Sequence, residues 1–129
     1  MKTVFTILVL TCLFPLLVIA SENKIVGDIN CDGKDDIAKM TFDKSKVMIY
    51  VTLNDGTKSN EIEFGLGKSG YQGSLCGKKP ILSSEELLEE MIGYKPSANC
   101  IGLNIRAGEC DSMHLFWNKE TGMLNWWRL

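Results

Sequence analysis

The chain contains a single histidine, His114, among 129 residues. Histidine-dependent catalysis therefore has one place to sit. No two cysteines stand at Cys-x-x-Cys spacing, so a zinc site lacks its usual close pair and would have only His114 to help. No G-x-S-x-G elbow is present to expose a nucleophilic serine. No internal repeat is present either, and a propeller, which needs several blades, is excluded. An excess of basic residues is also missing. Lysine and arginine number 14 against 16 aspartates and glutamates, for a formal charge of −2. That balance gives no reason to expect nucleic acid or an anionic membrane as a partner.

What is present begins with an export signal. Lys2 supplies a positive start, Val4 to Ile19 is apolar and uncharged, and Val18-Ile19-Ala20 has the small-residue form of a cleavage site. The apolar run is short for a membrane anchor, and no basic stop-transfer cluster follows it. A lipoprotein reading through Val9-Leu10-Thr11-Cys12 fits poorly because of Thr11 and the short run before it. Residues 1–20 are expected to be removed. Residues 21–129 are then enough for one secreted or periplasmic domain with one core, and no membrane association is expected after cleavage.

Loss of Cys12 leaves Cys31, Cys76, Cys100 and Cys110. An even number in a small exported domain predicts two disulfides, with three connectivities open. The pairing preferred here is Cys31–Cys76 with Cys100–Cys110. The second pair needs a bend, for which Gly102 and Gly108 provide, because a straight strand would hold its ends too far apart.

Period-two alternation dominates the chain. Ile25 and Val26 suggest a first short strand. Ala38, Met40 and Phe42 share one face of a strand, as do Val47, Ile49, Val51 and Leu53, and then Ile62, Phe64 and Leu66. Asn54-Asp55-Gly56-Thr57 is a hairpin signal. Residues 36–66 therefore read as a three-stranded antiparallel meander. Residues 65–79 are glycine-rich and predict a loop. A phosphate-loop reading of Gly67-Lys68-Ser69 fails, because Ile62 stands where that motif needs glycine. Ser83 and Glu86 have capping-box spacing, and Leu87, Leu88, Met91 and Ile92 supply an apolar face, predicting a helix over 84–94. Further strands are expected at 101–105, 113–117 and 123–129, the last two joined by a hairpin. The fold class is mainly β with one helix (α+β): a small antiparallel, disulfide-linked domain.

The most informative stretch is Asp28-Ile29-Asn30-Cys31-Asp32-Gly33-Lys34-Asp35-Asp36. Side-chain oxygens fall at Asp28, Asn30, Asp32 and Asp36, and Lys34 can offer its backbone carbonyl. Gly33 stands where a chain wrapping an ion turns most cheaply. Hard oxygens in this number suit Ca2+, and three carboxylates crowded together repel one another without a cation. The start matches an EF-hand, but loop position twelve is Lys39 instead of a bidentate glutamate, and a strand pattern follows. The spacing D-x-N-x-D-G-x-x-D leading into a strand resembles the FG-GAP/VCBS calcium loops of integrin-type blades and small secreted bacterial proteins. The resemblance spans roughly residues 27–42. It implies Asp28, Asn30, Asp32 and Asp36 side chains and the Lys34 carbonyl as calcium ligands. Cys31 departs from it, standing where these loops carry a small residue such as glycine. The ending is similar to that of small uncharacterised secreted bacterial proteins through Glu109-Cys110-Asp111-Ser112, Phe116-Trp117-Asn118 and Trp126-Trp127-Arg128. That likeness implies no activity.

The expected function is an exported, non-enzymatic, calcium-binding domain that recognises a protein or glycan. Trp126 and Trp127 face opposite sides of their strand, so one of them is a candidate platform for that partner unless the helix covers it. An inhibitor or immunity protein is the alternative within the binding class. A small hydrolase using Ser112 and His114, beside Asp111, is the alternative outside it, and hydrogen-bond reach between the two side chains in a cleft would favour it.

Overall fold

Alternating apolar residues set the strands, and two stacked sheets bury them. The computed structural model describes residues 23–129, so the leader expected over residues 1–20 lies outside the described residues. The strands are β1 (Asn23–Gly27), β2 (Asp36–Phe42), β3 (Lys46–Thr52), β4 (Ile62–Leu66), β5 (Ser74–Leu75), β6 (Ile81–Glu86), β7 (Ile101–Arg106), β8 (Met113–Asn118) and β9 (Met123–Trp127), with a one-turn helix α1 (Glu89–Ile92) after β6. Strands β1 to β5 form one sheet in chain order, and β6 to β9 form the other. Pairing is antiparallel throughout, except that β5 adds to β4 in parallel. The expected meander is β2-β3-β4, with Ala38 opposite Val51, and Met40 opposite Ile49.

Each strand turns one face inward. Ala38, Met40, Val47, Ile49, Val51 and Phe64 from the first sheet meet Leu82, Leu103, Ile105, Met113, Leu115 and Leu124 from the second in a single buried cluster. This is the core of a β-sandwich. Burying one such aliphatic or aromatic side chain contributes about 1.5–3 kcal/mol. Gly77 lets the glycine-rich segment dock on the end of β7. Its N–H donates to the Ala107 carbonyl at 2.9 Å, and a Cβ there would lie 2.5 Å from the Ala107 carbonyl carbon.

Two expectations are corrected. The segment predicted as a helix over 84–94 starts as β6, and Ser83 pairs with Asn104 instead of capping a helix. Helix α1 begins only at Glu89, its N-cap is Leu88, and no side chain caps it. The reason is tertiary. Leu82 fits the core only if this stretch is extended beside β7, and six residue pairs of sheet register outweigh one local capping motif. Ser83 is exposed and its side chain does no capping, so Ser83→Ala should leave the urea midpoint unchanged within error. A loss near 1 kcal/mol would mean that the helix forms after all.

The disulfides are the second correction. They join Cys31 to Cys100 and Cys76 to Cys110, with Cα separations of 5.0 and 5.8 Å. The expected Cys100–Cys110 bond fails because β7 runs extended between the two, holding them at opposite ends of a strand. Cys31 meets Cys100 because Asp28 bridges to Cys100 where β1 ends, and Ile101 N–H donates to the Asp28 carbonyl at 2.9 Å.

One side chain stitches the two sheets at an edge. The Asn60 carboxamide pairs with both backbone groups of Leu124 in β9: Leu124 N–H donates to Oδ1 at 2.7 Å, and Nδ2 donates to the Leu124 carbonyl at 2.9 Å. No helix among the described residues is long and apolar enough to cross a membrane.

Candidate functional site

The acidic loop joins β1 to β2, and backbone N–H groups fill it. Asp36, 0% exposed, accepts from Ile29 N–H (2.9 Å), Asn30 N–H (3.0 Å) and Asn54 N–H (3.0 Å). Asp28, 3% exposed, accepts from Asp32 N–H at 3.0 Å and Gly33 N–H at 2.9 Å, with the Ser97 hydroxyl at 3.5 Å. Asp32 is exposed and accepts from Lys34 N–H (2.9 Å), Asn54 Nδ2 (2.8 Å) and Asn30 Nδ2 (3.3 Å). The Lys34 N–H, followed by the Asn54 amide, holds the Asp32 carboxyl below the usual aspartate range. Tyr94, whose hydroxyl donates to the Trp117 carbonyl at 2.8 Å, is pushed above the usual tyrosine range by burial first and the Asp28 charge second.

The donor chemistry suits a hard cation: Asp28, Asp32, Asp36 and Asn30 fall within nine residues, with the Asp28 and Asp36 carboxylates sealed from water. The ion pairs among the described residues are Lys46–Glu63 and Lys58–Glu61, with His114–Glu85 a third only when the imidazole is protonated, and none reaches this loop. Convergence is less complete. Among the described residues, no three His, Cys, Asp or Glu side chains form a metal-holding group. Lys34 lies in the exposed part of the loop, and its N–H is engaged by Asp32. Cys31 has φ of 61°, the left-handed region where glycine is cheapest.

Asn54 and Ser97 are additions that the sequence did not announce. Asn54 belongs to the expected turn, where Leu53 N–H donates to the Thr57 carbonyl at 2.8 Å. Its reach back to Asp32 and Asp36 follows from the β2–β3 pairing and carries no local signature.

The tryptophans do face opposite sides. Trp126 points inward at the sandwich rim, edge-on to Phe64 with centroids 5.1 Å apart, and stays 37% exposed. Trp127 lies on the outer face of the second sheet, stacked on His114 at 4.0 Å and 10°. His114, not the expected helix, is what packs against it.

Around His114 the outer face is polar. Its Nδ1 lies 2.9 Å from each Glu85 carboxylate oxygen, and its Nε2 lies 3.5 Å from Ser112 Oγ. Asn104 Nδ2 donates to Ser112 Oγ at 2.9 Å and to Glu85 Oε2 at 3.1 Å. Asp111 takes no part in this cluster; its carbonyl accepts from Arg128 Nη2 at 2.8 Å. Gly102 makes the arrangement possible, because a Cβ there would lie 2.7 Å from Leu87 Cδ2 and 3.3 Å from Glu85 Cγ. The cluster lies on an open face. Three surface cavities are lined by other residues, one of about 450 Å³ by Tyr71, Asp111 and Arg128 among others. No protein-family model matches the chain, and no curated protein or solved structure shows significant similarity to it.

Proposed function

We propose that the protein is an exported calcium-binding domain whose role is recognition of a protein or glycan partner. The observation that supports it is the pair of buried carboxylates, Asp28 and Asp36, neither of which is ion-paired among the described residues. Burying anions is costly unless charge is compensated, and N–H donors compensate only in part. A Ca2+ ion held by Asp28, Asn30, Asp32, Asp36 and the Lys34 carbonyl would supply the missing positive charge and pin the point where β2 enters the core. We assign it the role of a staple. Two disulfides suit an oxidising compartment, where free calcium is plentiful enough for a weak site. Trp126, partly exposed at the sandwich rim, is the side chain we assign to partner contact.

Thermal unfolding in chelator and in calcium tests this. Extracellular sites bind with dissociation constants of about 0.1–1 mM. Tenfold excess over such a constant stabilises by about 1.4 kcal/mol, which raises the midpoint by a few degrees in a domain of this size. Asp32→Ala should abolish most of the rise, and magnesium should substitute poorly because it demands a tighter octahedron. An identical wild-type midpoint in chelator and in several-millimolar calcium would refute the proposal.

A further inference from the structure

We infer that Ser112 is an activated nucleophile, with His114 as its general base and Glu85 as the positioning residue, and that it takes the acyl group of small activated esters. The inference rests on none of the loop residues and adds a chemical step to a domain read above as a binder.

Three neighbours fix the imidazole. Glu85 accepts at Nδ1, from 2.9 Å at both carboxylate oxygens, which places the proton on that nitrogen. The free lone pair then sits on Nε2, 3.5 Å from Ser112 Oγ. Trp127 stacks on the ring at 4.0 Å and sets its plane. This is the tautomer and order of contacts that a serine nucleophile needs, and such bonds are commonly loose before substrate binds. The cluster is only partly screened from water, with side-chain exposures of 19% for His114 and 25% for Glu85. Asn104 Nδ2 donates to Ser112 Oγ at 2.9 Å and to Glu85 Oε2 at 3.1 Å, tying the hydroxyl to the positioning carboxylate.

Ser112 Oγ bonds to the carbonyl carbon, its proton passes to His114 Nε2, and the carbonyl π electrons move onto oxygen. When the carbonyl re-forms, the bond to the leaving oxygen breaks and that oxygen takes the proton from Nε2. Water repeats the sequence on the acyl-serine, releasing the acid and restoring Ser112. Ser112, His114 and Glu85 line none of the three cavities, so none of these offers the site a grip on a long acyl chain. Good leaving groups and short acyl groups are therefore the class it fits.

A fluorophosphonate probe, followed by peptide mass mapping of the oxidised protein, tests this. The expected result is an adduct on Ser112. His114→Gln should slow its formation about a hundredfold, the low end for losing a general base. Glu85→Gln, nearly isosteric, should slow it at least about tenfold while the melting midpoint holds, which a purely structural carboxylate would not do. Should Glu85→Gln unfold, His114→Gln decides alone. p-Nitrophenyl acetate should give a burst of nitrophenolate that Ser112→Ala lacks. No adduct on Ser112 after exhaustive exposure, or equal rates in wild type and His114→Gln, overturns the inference. The calcium result is independent of both outcomes.

Discussion

Asp36→Ala should cost more stability than any other single change at an aspartate or asparagine of the acidic loop. The carboxylate is fully buried and accepts three backbone N–H groups, from Ile29, Asn30 and Asn54. Alanine leaves all three donors behind. A buried, unpaired donor such as Ile29 N–H costs about 1–3 kcal/mol, and the part-buried Asn30 and Asn54 N–H groups add a smaller share because water can reach them. Removing a like charge near Asp28 returns part of this. Against a total stability of about 5–15 kcal/mol the net loss is large. The expected outcome is a urea midpoint well below wild type, or no cooperative transition at all. Asp36→Asn should fall between, since its amide turns a donor toward one set of N–H groups. A loss under about 1 kcal/mol for Asp36→Ala would show that the three N–H groups find other partners.

Removing the Cys31–Cys100 disulfide has the second large effect, and its size depends on what replaces Cys31. The bond spans 69 residues. In the chain-entropy description, closing a loop of that length is worth about 4 kcal/mol. Cys31 also sits at φ of 61°, which costs a residue other than glycine about 1 kcal/mol or more. The double variant Cys31→Ala/Cys100→Ala should therefore lose about 4 kcal/mol. Cys31→Gly/Cys100→Ala should recover about 1 kcal/mol of that. Denaturation of both variants beside wild type checks the difference, and equal midpoints would show that the left-handed backbone stores no strain.

Legibility in the sequence followed the range of the interactions. Strands β2, β3 and β4 were visible because Ala38/Met40, Val47/Ile49/Val51 and Phe64/Leu66 alternate without interruption. The second sheet was half visible. β7, β8 and β9 carry the same alternation, but β6 does not: Leu82 is its one buried residue, followed by two serines and two glutamates. A capping box and a run of leucines outweighed it locally, and only the partner strand settles the matter. That misreading also hid Glu85, which reads as one face of an acidic helix and instead reaches across Gly102 to His114. The disulfide pairing was hidden for a related reason. Bending at Gly102 and extension through it are equally compatible with the sequence, and the choice is made by pairing with β6 and β8.

The Asn60 carboxamide at Leu124 bears on how this molecule avoids its own copies. β9 ends its sheet, and an end strand offers unpaired N–H and C=O groups to any extended chain that drifts past. Asn60 acts there as a strand one residue long, occupying both groups of Leu124. An approaching strand meets a side chain where it needs a ladder rung. A two-stranded seam between molecules cannot run past that point, and the hydrophobic Trp126 beside it remains available for contact without becoming the start of a fibre.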